Sequence, residues 1–139
     1  MKNEDFRKYY EISKNSIGEG WVGVVYKAKN KETNQKRAIK VINIDKIRYH
    51  FKKCNLKEPN DDDIKPIIDD FIKETENMVI LEGENKENKN TVKYYESFKT
   101  DKELAIVMEL CDDNLMDFLI KRKIPFNSYE IYDILNQLI

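Results

Sequence analysis

Three of the chain's four glycines fall within six residues, Gly18-Glu19-Gly20-Trp21-Val22-Gly23. Glycines at this spacing let a backbone approach a phosphate with no Cβ in the way. The next element in the chain decides the role of such a loop. A dinucleotide-binding loop opens a helix, because the phosphates sit on the helix N-terminus. Here Val24-Val25-Tyr26-Lys27-Ala28 alternates and is rich in β-branched residues, so a strand comes next and that reading fails. A Walker-type loop fails as well, since no Gly-Lys-Ser/Thr closes the motif. Two readings remain for a strand–glycine turn–strand: a flap over phosphates or an ordinary hairpin turn.

A cation and an acid extend the pattern. Lys40 lies in Ala38-Ile39-Lys40, inside the apolar strand that continues through Val41 and Ile42. Ala38 and Lys40 are two apart and share a face. A small residue beside a long cation suits a surface that packs a flat base and reaches its phosphates. Phe71, Glu74, Met78 and Leu81 recur at helical spacing, which puts Glu74 on the apolar face of a helix. A carboxylate there is costly unless paired, and Lys40 is the natural partner. Glu76, beside Ile72 and Ile80, is the alternative acid.

The elements that must position these residues follow from the hydrophobic period. Tyr10–Ser13 with Ser16–Ile17, then Val24–Ala28 and 36–44, predict three strands in an antiparallel meander, with turn residues at 30–34. Ile44, Ile47, Phe51 and Cys54 then recur at helical spacing among basic residues. Asp61-Asp62-Asp63 marks a loop or a helix start, and a second helix is predicted over 66–81. A polar Lys/Asn-rich loop covers 82–90. Strands are predicted over 91–98 and 104–110, and a short helix over 115–121. The last helix starts near Ser128, where Asn127 and Glu130 form a capping box. Its Ile131, Ile134, Leu135 and Leu138 run to the end of the sequence, so it reads as a helix cut short.

Composition narrows the function classes. The 139 residues carry 25 Lys+Arg against 26 Asp+Glu, a net charge of −1, which argues against a nucleic-acid or membrane partner held by bulk charge. Charged residues are 37% and hydrophobic residues 40%, enough for a core. No apolar run is long enough for a signal peptide or a membrane span. Cys54 and Cys111 are isolated, which fits a reducing, cytoplasmic location and excludes a thiolate metal site. His50, the one histidine, lies in a charged stretch and reads as solvated.

From about Tyr10 onward the chain resembles the N-terminal lobe of the eukaryotic protein kinases. The segment 18–28 is similar to their glycine-rich loop and second strand. Ala38-Ile39-Lys40 resembles the strand with the phosphate-binding lysine, and Phe71-Ile72-Lys73-Glu74 the helix with its glutamate partner. Segments 92–98 and 106–111 look like the fourth and fifth strands entering the hinge. The resemblance implies an α+β fold: a five-stranded antiparallel sheet with one main helix, then the hinge and first helices of the helical lobe. The expected division is an extension over 1–9, the lobe over 10–110 with an insert at about 45–63, and an incomplete second lobe over 111–139.

The resemblance also implies an ATP site of Ile17, Gly18, Glu19, Gly20, Trp21, Gly23, Val25, Ala38, Lys40, Met108, Glu109 and Cys111. Met108 would hold the gatekeeper position. The carbonyl of Glu109 and the backbone of Cys111 would bond adenine between Ile17, Val25 and Ala38, while Asn114 or Asp113 would approach the ribose. Met78 and Tyr94 would join an internal stack linking helix to sheet. Trp21-Val22 departs from the family's usual small-then-aromatic pair. The insert reads as a solvated helix and loop, with a docking surface as the alternative.

Neither His-Arg-Asp nor Asp-Phe-Gly occurs in the 139 residues. The catalytic aspartate and the magnesium ligands of this chemistry are therefore not among them. The expected protein is the ATP-binding portion of a Ser/Thr-directed kinase, inactive as given, with Mg2+ and a protein substrate engaged only by a complete domain. The alternative is a non-catalytic kinase-like regulatory or interaction module. Self-association through the apolar last helix is expected in either case.

Overall fold

The computed structural model describes residues 1–139 apart from 22, 56–57, 85–89 and 139, so Val22 of the glycine loop and the middle of the 82–90 loop lie outside the described residues. A 3₁₀ turn, Phe6–Lys8, precedes β1 (Tyr10–Glu19), β2 (Val24–Asn30), β3 (Lys36–Asn43), α1 (Ile44–Asn55) and α2 (Asp61–Glu84). Then come β4 (Tyr94–Lys99), β5 (Glu103–Met108), α3 (Leu115–Arg122) and α4 (Ser128–Leu138). The five strands form one antiparallel sheet in the order β1-β2-β3-β5-β4.

Local chemistry explains most of the boundaries. Asn34 turns the β2–β3 hairpin with φ of 60°, a conformation asparagine tolerates. Asn43 caps α1 by accepting the Lys46 N–H at 2.9 Å. α2 starts five residues before the Pro66 start that periodicity implies. Asn60 and Asp63 exchange side chain-to-backbone bonds of 2.9 Å each, a capping box that starts the helix at Asp61. Pro66 is carried inside the helix. The box expected before α4 is present, with Asn127 and Glu130 bonding reciprocally at 2.9 and 3.0 Å.

β3 is the central strand and both its faces are covered. On one face Ile39 and Val41 pack with Tyr10, Ala28, Phe98, Ala105 and Val107. Phe6, only 1% exposed, belongs to this cluster. Lys2 adds a short parallel bridge to the edge strand β4: its N–H donates to the Ser97 carbonyl at 2.8 Å, and its carbonyl accepts from Lys99 at 2.9 Å. Residues 1–9 thus cover one side of the sheet. Tyr10 donates its phenol to Glu96, which also takes the Lys2 ammonium at 2.5 Å. Burial, helped by the bond to Glu96, pushes the Tyr10 phenol up to about 12. Burial alone would raise Glu96, but the bonds from Lys2 and Tyr10 outweigh it and hold the carboxyl below its usual range.

On the other face Ile42, Leu104 and Ile106 pack with Ile64 and Phe71 of α2 and Ile47 of α1. The insert helix is therefore not simply solvated, because Ile47 is buried and Phe51 packs against this cluster. Cys54 is exposed, as are His50 and Tyr49. Fully burying Phe6 predicts that Phe6→Ala costs about 3–5 kcal/mol, the usual range for a buried phenylalanine. Urea unfolding of the two proteins measures it, and a change below about 1 kcal/mol would place Phe6 outside the working core.

Candidate functional site

Strand register brings the expected residues together. Val25 lies opposite Lys40 and Lys27 opposite Ala38 across β2–β3. Ala38 faces Met108 and Lys40 faces Ile106 across β3–β5. Directly opposed residues share a face, so Val25, Ala38, Lys40 and Met108 line one surface of the sheet. Ala38 is 4% exposed and Met108 half-buried. Gly18 pairs with Val25 at the end of β1, so it joins the same surface.

Lys40 reaches across to α2. Its ammonium donates to both carboxylate oxygens of Glu74, at 2.6 and 2.8 Å. The alternative acid, Glu76, is exposed and forms no ion pair among the described residues. One expectation is corrected: Glu74 does not sit on the buried face of its helix. Its side chain is 44% exposed, at the border of a buried stripe made by Ile64, Phe71 and Thr75. Thr75 takes the inward position and donates its hydroxyl to the Phe71 carbonyl at 2.9 Å, which removes the cost of burying it. The 3.6-residue period marks Thr75 as inward, but its polarity hides it from an apolar pattern.

The glycines have different reasons to be glycine. The hairpin is closed by the Gly20 N–H donating to the Gly23 carbonyl at 2.9 Å. A Cβ on Gly23 would lie 2.9 Å from the Val41 carbonyl oxygen and 3.1 Å from Ile42. Gly18 and Gly20 would meet nothing closer than 3.8 and 3.7 Å, and none of the described glycines has positive φ. Close strand packing therefore demands the third glycine with no ligand present. Glu19 is exposed, Ile17 is 45% exposed, and Trp21 is 65% exposed at the hairpin tip. Trp21, Lys40 and Ile42 face Ile67, Asp70, Phe71 and Glu74 across a recess of about 140 Å³. That is well short of the ~300 Å³ at which ligand pockets begin.

At the hinge, Glu109 donates its N–H to the Lys93 carbonyl at 2.8 Å, while Cys111 is exposed. The two expected ribose neighbours are already engaged. Asn114 caps α3, accepting the Asp117 N–H at 2.9 Å, and Asp113 takes the Lys121 ammonium at 2.5 Å. Met78 and Tyr94 both pack on the cluster that includes Phe71 and Leu104. No group of three or more His, Cys, Asp or Glu among the described residues could hold a metal ion.

The protein kinase domain model matches residues 10–139. The chain belongs to the protein kinase domain family. Its fold is a kinase N-lobe followed by the start of the C-lobe. Calcium-dependent protein kinase 5 of Plasmodium berghei is 32% identical over 139 residues, covering 99% of this chain and 20% of the relative. Cyclin-dependent kinase-like 1 of Caenorhabditis elegans is 33% identical, covering 95% of this chain and 31% of the relative. The probable serine/threonine-protein kinase zyg-1 of Caenorhabditis briggsae is 34% identical, covering 88% and 14%. The chain thus spans between about a seventh and a third of these relatives' lengths. The matched region begins at Tyr10, so residues 1–9, which bury Phe6, lie outside the family model.

Because the Val41 carbonyl is backbone and does not yield, Gly23→Ala is expected to lower stability by about 1–3 kcal/mol, against under about 1 kcal/mol for Gly18→Ala. Denaturant midpoints compare them. Equal effects would remove strand packing as the reason for Gly23.

Proposed function

We propose that this chain is the ATP-binding part of a serine/threonine protein kinase. The observation that carries the reading is the two-pronged Lys40–Glu74 pair, held between β3 and α2 under the glycine hairpin. An ammonium fixed by a carboxylate on one side presents its remaining donor to phosphate oxygens on the other. In this reading the hairpin from Gly18 to Gly23 covers the phosphates, with Glu19 and Trp21 at its rim. Ile17, Val25 and Ala38 enclose the adenine, Met108 stands behind it, and Glu109 and Cys111 offer backbone groups to its edge. The Ser/Thr direction is supported by the relative whose name carries it. A cytoplasmic setting goes with two free cysteines that form no disulfide.

Phosphotransfer itself requires more than these residues. A catalytic-loop aspartate and the Mg2+ ligands have no counterpart among them, so the chain alone binds without transferring. A complete domain would supply the ligands for Mg2+ and take a protein substrate. The described residues also give the nucleotide only one wall, since the recess beside Lys40 is about 140 Å³.

Binding by the chain alone is therefore expected to be weak. With a Kd at or above ~1 mM, 1 mM Mg-ATP stabilises by at most about 0.4 kcal/mol, a shift of about 2 °C or less. A thermal-shift titration measures this beside Lys40→Met, which should abolish any response. A response that Lys40→Met leaves intact would count against Lys40 as the phosphate-binding group. Strong stabilisation lost in that variant would instead show that the second wall is dispensable.

The helices after the hinge carry a separate expectation. α3 has no buried residue, and Leu115, Met116, Phe118 and Ile120 are exposed together with Ile131 and Leu135 of α4. Apolar surface of this kind drives association. The purified chain should elute as an oligomer or aggregate, and a monodisperse monomer by chromatography with light scattering would refute this.

A further inference from the structure

The N-terminal segment is tied to the protein at two separate places. One is the edge of β4, where Lys2 bonds Ser97, Lys99 and Glu96. The other is the start of β5. There Arg7 grips the Glu103 carboxylate with both terminal nitrogens, at 2.6 and 3.2 Å. Glu103, 18% exposed at its side chain, lies in register with Asn43 and accepts the Asn43 amide at 3.5 Å. Holding the amide nitrogen this way leaves the Asn43 oxygen aimed at the Lys46 N–H, the bond that caps α1.

The contacts continue from α1 to the ion pair. Ile47 and Phe51 of α1 pack with Ile64 and Phe71 of α2, and Arg48 meets Asp61 at 2.5 Å where α2 begins. α2 runs unbroken from Asp61 to Glu84, so Glu74 sits 13 residues along it, about 20 Å at 1.5 Å per residue. The Glu74 side chain is 44% exposed, so burial does not hold it in place. Its position depends on how the helix is seated.

We propose that Arg7 is a positioning residue for the Lys40–Glu74 pair, acting through Glu103, the Asn43 cap and the α1–α2 contact. Without Arg7 the Glu103 carboxylate loses its bidentate partner and is free to swing toward Lys46 or solvent. The Asn43 amide then loses its orientation, the first turn of α1 loosens, and α2 loses its support at one end. Residues 1–9 thereby act on the site as well as on the fold. The proposal rests on reading Lys40–Glu74 as the phosphate-binding pair, but its test reads the geometry of the pair with no nucleotide present.

The experiment compares Arg7→Ala with Lys2→Ala, which removes the same segment's ion pair to Glu96 at β4 while leaving its backbone bonds and Glu103 alone. Amide exchange of Lys46 and Ile47 reports the cap. The rate at which N-acetoxysuccinimide acylates Lys40, followed by mass spectrometry, reports the ion pair, with Glu74→Gln setting the scale. Arg7→Ala should raise both rates by about five-fold or more, the low end of ordinary coupling between sites. Lys2→Ala should leave both near the parent values, and Arg7→Lys, which keeps a cation beside Glu103 and leaves the Glu103 oxygen on the Asn43 amide, should raise them less than Arg7→Ala does. Equal effects of Arg7→Ala and Lys2→Ala would overturn the proposal, as would an unchanged Lys40 rate in Arg7→Ala when Glu74→Gln raises it. If Arg7→Ala folds poorly, Glu103→Gln replaces it with the same two readouts: both rates raised supports the proposal, and an unchanged Lys40 rate overturns it.

Discussion

The central strand β3 has to be covered on both faces. Ile39 and Val41 point one way and Ala38 and Ile42 the other, and all four are buried. A sheet with two apolar faces needs two separate covers. One is short: the 3₁₀ turn with Phe6, the start of β1 with Tyr10, and the facing Phe98. The other is the helical layer of α1 and α2. Lys40 is the polar exception on the helix-covered face. It is tolerated because its ammonium emerges where α2 offers Glu74, and because neither side chain is taken fully out of water.

That partial exposure decides what the pair is for. A half-exposed ion pair contributes at most about 1 kcal/mol to folding, so stability is not its main effect. Its effect is geometric, fixing a cation at a set place on a surface otherwise lined by Val25, Ala38 and Met108. The glycine hairpin above is held in turn by β3, since Gly23 lies too close to the Val41 carbonyl for any side chain. Loop, strand and helix are thus referenced to one strand, which holds the hairpin, the cation and its carboxylate on a rigid frame.

Much of this was legible in the linear sequence. The glycine spacing followed by an alternating run excluded a helix after the loop, and β2 begins at Val24. The lysine in Ala38-Ile39-Lys40 and the acid one helix later paired as their spacing implied. Asn127 with Glu130 marked the start of α4 to the residue. Other features needed the third dimension. Periodicity put Glu74 on the apolar face, but the buried position belongs to Thr75, because a threonine can satisfy its hydroxyl on its own helix and a carboxylate cannot. Pro66 read as a helix start, while the Asn60–Asp63 box lies upstream and sets the true one. Asn114, a ribose candidate by resemblance, spends its side chain on capping α3.

What the sequence by itself determined are the features written within a turn or a few strand residues: the hairpin, the caps, and the alternation that gives β3 two apolar faces. These depend on contacts between near neighbours, so spacing alone specifies them. Tertiary structure decided which long-range partners cover those faces. Phe6 is buried because Phe98, on a strand more than ninety residues later, completes its pocket. Arg7 gains a bidentate partner because β5 brings Glu103 beside Asn43. Nothing local to residues 1–9 distinguishes them from a solvated leader. Their place follows from the apolar area left open on the far side of β3, a quantity that exists only once the sheet has formed.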